Sequence, residues 1–419
     1  MDPRRIAIIG GGAAGYFAAI TAAETDRSAE VVLFEATGYL LTKVRISGGG
    51  RCNTTHACFE PRELVKCYPR GARELIGPLH QFGPRETVAW FAARGVELKT
   101  EPDGRMFPVT DDSGTIVDCL QQAAAELAVT TRLRTPVRSL ERPDAAANTD
   151  ASASPFVLTL GDGSVEHFDR VVLTTGGNRG SGGHAMAEAM GHRIEQIAPS
   201  LFTFQIDDAR LTGIEGLSVP EAEVWVPGTK LRERGPVLVT HWGLSGPGIL
   251  RLSAWGAREL AERDYQFEVR VSWNGETNEQ RVREQLAAGR NGLGKKQIRN
   301  ANPLGLPGRL WERLVDAAEI AAGTMWVNLP KTGLAALATA VAASGFQVTG
   351  KSMNKEEFVT CGGVRLKEVD FKRMESRLCP GLHFAGEVLD IDGITGGFNF
   401  QSAWTTAHLA GQAAAAPSR

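Results

Sequence analysis

The stretch "RRIAIIGGGAAGYFAAITAAE", residues 4–24, decides the fold. A short β-branched run leads into Gly10, Gly12 and Gly15 in the G-x-G-x-x-G spacing, and an alanine-rich helix follows. Each glycine has its own task. Gly10 permits a tight turn, Gly12 lets backbone approach a pyrophosphate, and Gly15 lets the helix lie close to the strand. Ala13 and Ala14 open that helix, whose first amides face the phosphates. A second apolar run, "EVVLFE" (30–35), ends in Glu35, whose carboxylate accepts hydrogen bonds from ribose hydroxyls. Its negative charge disfavours a 2′-phosphate at the same place. Strand, helix, second strand and terminal acid stand in order, so the chain is expected to take the ADP moiety of FAD or of NAD. The fingerprint does not choose between them.

A second glycine run, "ISGGGRCNTT" (46–55), follows Lys43 and Arg45. Glycine costs chain entropy wherever it is held, so three in a row read as backbone laid against the same ligand. A solvated turn is the plainer alternative, with Arg51 a surface charge and Asn53 a turn residue.

At 419 residues the chain has room for two or three domains. Its 46 Lys and Arg nearly balance 48 Asp and Glu. That balance gives no general electrostatic grip on nucleic acid or an acidic membrane, so neither is expected as a partner. Cys52, Cys58, Cys67, Cys119, Cys361 and Cys379 form no C-x-x-C and no zinc spacing, as suits reduced thiols in a cytoplasm. Glycines break the apolar N-terminal run, and no other run reaches membrane-spanning length, so a soluble cytoplasmic protein is expected.

Residues 143–154 are a polar, alanine-rich tip between short alternating runs. The buried strand after them ends in Thr174-Thr175-Gly176-Gly177. Residues 201–275 are strand-like and turn-rich, whereas 276–349 read as helices broken by Pro and Gly. These two pieces are expected as inserted β-rich and helical subdomains, splitting an α/β domain made of 1–200 and 350–419. In the last part Glu387 sits at a strand tip, suited to polyol hydroxyls. Gly396 and Gly397 precede the closing helix and offer backbone N–H groups. The "DIDG" loop lacks the alternating ligands of an EF-hand, and no metal is expected.

The motifs "IIGGGAAG", "SGGGRCN", "GRMFP", "TTGG", "GLSGP", "VTCGGV" and "FAGEVLDIDGITGGFNFQSA", in that order, resemble the bacterial NAD(P)/FAD-dependent oxidoreductase family, which includes aminoacetone oxidase-like and 3-dehydro-bile-acid reductase-like flavoproteins. The resemblance covers nearly the whole chain. It implies a glutathione-reductase-like FAD domain, discontinuous in sequence and interrupted by a β-barrel and a helical subdomain. Carried over by residue, it implies a shell for non-covalent FAD from Ser47, Gly48, Gly49, Gly50, Arg51, Cys52, Asn53, Gly386, Glu387, Asp392, Gly396, Gly397 and Asn399. Lys43 belongs to the same shell, and Thr175 and Gly176 lie toward the adenosine half. The family commonly has a tyrosine where this chain has His184.

Flavin handles the electrons, and the protein supplies binding, orientation and a proton donor. Only one dinucleotide fingerprint occurs, so NAD(P)H is expected as a transient visitor rather than the occupant of its own domain. His241 is the candidate general acid or base, next to Ser245, and Arg105 the candidate contact for an anion or carbonyl. No Ser-His-Asp arrangement is legible, and Cys52 reads as packing rather than redox. The leading expectation is an FAD-dependent oxidoreductase moving hydride between the flavin and a small organic substrate. The alternatives are an amine oxidase using dioxygen and a non-catalytic FAD-binding partner module. RNA modification is disfavoured by the balanced charge.

Overall fold

The computed structural model describes residues 3–143, 156–178, 180, 182–352 and 359–417. The chain divides into two compact units, one formed by Met1–Ala198 with Lys355–Arg419, the other by Pro199–Asn354. Part of the 143–154 tip, and part of the loop after Gly177, lie outside the described residues.

The first unit begins with β1 (Arg5–Ile9), α1 (Ala13–Thr25) and β2 (Glu30–Phe34), followed later by β3 (Thr130–Arg132) and β4 (Arg170–Leu173). The second unit contributes β5 (Thr203–Gln205), β6 (Ser218–Trp225), β7 (Arg232–Thr240), β8 (Gly243–Ser245) and β9 (Phe267–Ser272). It continues with α2 (Glu279–Leu293), α3 (Gly308–Ala317), α4 (Lys331–Ala342), β10 (Ser344–Val348) and β11 (Gly350–Ser352). The chain then returns to the first unit with β12 (Val369–Asp370), β13 (Glu375–Ser376), β14 (Leu382–Phe384) and α5 (Phe398–Ala415).

The first unit's sheet runs β12-β13-β14-β4-β1-β2-β3. From β14 to β3 every pairing is parallel, with Ile8 opposite both Val172 and Leu33. Parallel strands are covered on both faces, which is why β1 and β2 are almost unbroken apolar runs. α1 and α5 cover this sheet together. At Gly411 a Cβ would stand 2.5 Å from the Ala18 carbonyl oxygen, so only glycine lets the two helices meet.

The second unit holds an antiparallel sheet in the order β10-β9-β6-β7-β8-β5-β11. Here the structure departs from the expectation of separate β-rich and helical pieces. Val224, Val271 and Phe346 of the strands share one apolar core with Val282, Leu314 and Leu337 of the helices. The reason is amphipathicity: α4 packs against β9 and β10 on one side and against α2 and α3 on the other, so it joins the helices to the strands. Among the described residues no helix is long and apolar enough to cross a membrane.

Candidate cofactor site

The fingerprint folds as a strand, a tight turn and a helix. Gly10 has φ 116°, and its N–H donates to the Phe34 carbonyl at 2.8 Å. A Cβ there would come within 2.6 Å of the Thr174 carbonyl oxygen, and one on Gly15 would overlap the Gly10 carbonyl. Gly12, the residue before α1, is different. Nothing lies within 4 Å of where its Cβ would be, and no side chain caps the helix. At the tip of β2 the Glu35 carboxylate accepts from Gly11 N–H at 2.9 Å and from Thr37 N–H at 2.8 Å. These bonds fix the acid beside the turn.

The second glycine run starts as a helix at Thr42 and is then broken. Ser47 takes ψ 148°, Gly48 and Gly49 have φ 61° and 69°, and Gly50 follows at 84°. Three consecutive left-handed positions require glycine. Gly48 rests on Phe107, whereas Gly49 and Gly50 face open space. The Arg51 guanidinium lies over the Phe107 ring at 4.0 Å and pairs with Glu101 at 2.6 Å. Arg105 takes the other carboxylate oxygen of Glu101 at 3.1 Å and also binds Asp103 at 2.7 Å. Both arginines, one expected at the cofactor and the other at the substrate, are held by this carboxylate cluster. Burial pushes the Cys52 thiol up to about 11, so it stays protonated and serves as packing.

The two ends of the chain meet inside the first unit. The Asn53 amide, oriented by its neighbours, accepts from Gly397 N–H at 2.9 Å and donates to the Thr55 carbonyl at 3.1 Å. Lys43 Nζ pairs with Glu387 at 2.6 Å. Trp404 Nε1 donates to the Thr54 carbonyl at 2.9 Å, and Thr55 and Thr87 both donate to Gln401 Oε1. Gly386 stands where a Cβ would lie 2.8 Å from that of Ala14, bringing the C-terminal segment to the start of α1. At the end of β4, Gly176 faces open space and the buried Thr175 hydroxyl has no hydrogen-bond partner. Open Cβ positions at Gly12, Gly49, Gly50 and Gly176 fit a dinucleotide cradle, whereas the Thr175 hydroxyl lies against Gly183.

Two expected contacts have other work. Asp392 is fully buried and bound two-fold by Arg70, from Nε to Oδ1 at 2.5 Å and from the terminal nitrogen to Oδ2. The Asn399 amide closes its own loop, accepting from Gly393 N–H at 2.8 Å and donating to the Gly393 carbonyl at 2.9 Å. Gly396 lies inside that loop, packed by Phe398. Arg70, Gln401 and Trp404 were missed from sequence, because their partners lie more than three hundred residues away and no local spacing marks them.

A Glu–His–Ser arrangement was also missed. His192 donates from Nδ1 to Glu368 at 3.1 Å and accepts at Nε2 from Ser376 Oγ at 2.8 Å. Ser376 Oγ accepts from the N–H groups of Leu378 and Cys379 at 3.0 and 2.7 Å. Both oxygen lone pairs are taken and the serine is buried, so it braces this corner and is no nucleophile. Burial lowers the pKa of His192, and burial takes His383 and His408 to about 4. Above the unfolded value near 6.5 all three are neutral in both states. Below it the unfolded chain binds protons that the native chain resists, so stability falls as the pH drops toward 4. Urea midpoints measured at pH 7.5 and 5 should show the drop, and His192→Gln should make it smaller.

In the second unit His241 and the 62 % exposed Trp242 occupy the turn between β7 and β8. Ser245 accepts from Thr203 Oγ1 at 2.8 Å. Among the described residues no cluster suited to a metal ion occurs.

Residues 4–413 match the family described as HI0933-like protein Rossmann domain. The chain is 30% identical to the 3-dehydro-bile acid delta(4,6)-reductase of Clostridium scindens, over 98% of this chain and 99% of that one. It is also 30% identical to the ribosomal RNA dihydrouridine synthase of Escherichia coli, over 97% and 96%. That second name weighs against the expectation, drawn from overall charge, that nucleic acid is no partner. Among solved structures it is similar in fold to 3-ketosteroid-delta4-(5alpha)-dehydrogenase from Rhodococcus jostii RHA1, with TM-score 0.52, 17% identity and 100% coverage of both chains. The 3-ketosteroid delta1-dehydrogenase of Sterolibacterium denitrificans gives TM-score 0.53 at 13% identity, covering 99% of this chain and 100% of that one. The chain therefore belongs to the HI0933-like Rossmann-domain family of FAD-binding oxidoreductases.

Proposed function

We propose that this chain is an FAD-dependent reductase of a carbon–carbon double bond conjugated to a carbonyl. The two relatives' names describe unlike molecules but one kind of bond. The first name describes double bonds at positions 4 and 6 of a 3-oxo bile acid, where they are conjugated to the 3-oxo group. Dihydrouridine arises when the uracil double bond next to a carbonyl gains two hydrogens. The observation that carries the reading is the meeting of residues 43–55, 386–401 and the Gly10–Gly15 turn in one unit.

When bound, FAD supplies two-electron hydride exchange, replenished by NAD(P)H as a transient donor. The amides at Gly12, Ala13 and Ala14 hold the pyrophosphate, and Glu35 holds the ribose. Thr175 and Gly176 border the adenosine half. Backbone from Ser47 to Gly50 and at Gly396–Gly397, with Lys43, Glu387 and Gly386, borders the flavin half. Arg51, Cys52, Asn53, Asp392 and Asn399 shape these segments from behind. His241 is the candidate to deliver the proton that completes saturation of the bond. Arg105, held by two carboxylates, supports Phe107 and the glycine run resting on it.

The test begins with the visible spectrum of the purified protein and anaerobic titration with NADH and NADPH. The reduced protein is then offered a 3-oxo-4,6-dienoic steroid in one arm and unmodified rRNA in the other, with mass spectrometry for gain of two hydrogens. His241→Asn is expected to lower turnover roughly 100-fold, with flavin reduction unchanged. A colourless protein that takes up no FAD overturns the reading. Flavin that reacts only with amines, releasing peroxide, replaces it with the oxidase alternative.

A further inference from the structure

The nearly neutral charge of the whole chain conceals one asymmetric face. Residues 285–331 carry seven Lys or Arg against three Asp or Glu, and no acid occurs in 285–311 or in 320–355. Two parts of this stretch are stitched together within the second unit. Trp326 N–H donates to the Lys296 carbonyl at 3.1 Å and Val327 N–H to the Gly294 carbonyl at 3.0 Å. Gln297 and Met325 pair as an antiparallel bridge, and Arg290 reaches the Val327 carbonyl at 2.5 Å. The stitching sets Lys295 and Lys296 beside the turn that leads into Lys331, the first residue of α4. All three lysines are exposed, and among the described residues no carboxylate pairs with them. Arg299, by contrast, is neutralised by Glu312 and Asp316.

We propose that Lys295, Lys296 and Lys331, with Arg290, form a docking surface for the phosphate backbone of RNA. The inference rests on the rRNA arm of the proposed function. Ammonium groups without partners release condensed counterions when they meet phosphates, which gives affinity without sequence readout. Exposed amides stand among them, at Asn291, Gln297, Asn300 and Asn328, and amides bond to phosphate and sugar oxygens. An anionic lipid surface fits less well, because it asks for a broad apolar face beside the charges. Here only Met325 and Val327 are large exposed apolar side chains.

The test uses the full chain loaded with FAD and a fluorescent, unmodified rRNA stem-loop, with anisotropy read across a series of KCl concentrations. Lys295→Glu/Lys296→Glu/Lys331→Glu is expected to bind at least about tenfold more weakly, with a salt slope shallower by about 2 to 3. The three corresponding Lys→Arg changes should keep wild-type binding, and both variants should keep wild-type FAD absorbance and thermal midpoint. Equal RNA binding by the charge-reversed and wild-type proteins overturns the surface. If that equality comes with dihydrouridine formation by the wild type, the rRNA reading stands and this surface alone is wrong. If the wild type neither binds RNA nor forms dihydrouridine, both fall. Binding to phosphatidylglycerol vesicles but not to RNA also overturns the proposal.

Discussion

Gly15→Ala should prevent the first unit from folding, whereas Gly12→Ala should leave the fold intact and cost the chain its cofactor. A Cβ on Gly15 would overlap the Gly10 carbonyl oxygen and lie 2.9 Å from Thr174 Oγ1. A Cβ cannot rotate away, so α1 must lift off β1, at a cost of about 4 kcal/mol or more. Gly12 has φ −86° and ψ −168°, which any residue adopts, and its Cβ would point into open space. That space is where the pyrophosphate is proposed to lie. Gly12→Ala should therefore melt within about 2 °C of wild type. Its FAD dissociation constant should rise about 100-fold, or about 2.7 kcal/mol. Calorimetry and flavin fluorescence titration read the two effects separately. A Gly12→Ala protein that binds FAD normally would remove the phosphate assignment, and a normally stable Gly15→Ala protein would contradict the packing.

The second large effect concerns the Arg70–Asp392 pair. Asp392 is fully buried and the Arg70 side chain is 12 % exposed. Arg70→Met would strand a buried carboxylate, which typically costs about 3–5 kcal/mol. Replacing both partners, Arg70→Met with Asp392→Leu, should recover most of that loss, because no charge then remains to be desolvated. Urea unfolding of the two variants measures the difference. If the double variant is no more stable than the single one, electrostatic pairing is not what holds this loop. FAD affinity adds a second reading: a bracing role predicts that the double variant still binds FAD, whereas direct contact from Asp392 predicts that it does not.

How much could be read early depends on the range of each interaction. The Gly10–Gly15 turn, the place of Glu35 at the end of β2 and the need for glycine at 48–50 are local, so spacing and residue type exposed them. Arg51 and Arg105 were legible as charged residues but their ion pairs were not, since Glu101 and Asp111 bind the first from a distant segment and Glu101 and Asp103 hold the second. Asp392 and Asn399 lie in the right segment, yet their side chains serve the loop itself. His192, Glu368 and Ser376 gave no signal, because nothing in their spacing marks three positions that only strand pairing brings together.

By itself the sequence determined the parallel α/β unit, its split by an insertion, and the glycines that leave room for a dinucleotide. Local sterics and hydrophobic periodicity act over a few residues, and both are written in residue order. Only the tertiary structure decided which polar groups are spent on the protein. It bound Asn53 to Gly397, Lys43 to Glu387 and Arg70 to Asp392, and it fused strands and helices of the insertion into one core. Hydrogen bonds and ion pairs have short reach, so a side chain's partner is settled only when the fold brings distant segments within about 3 Å.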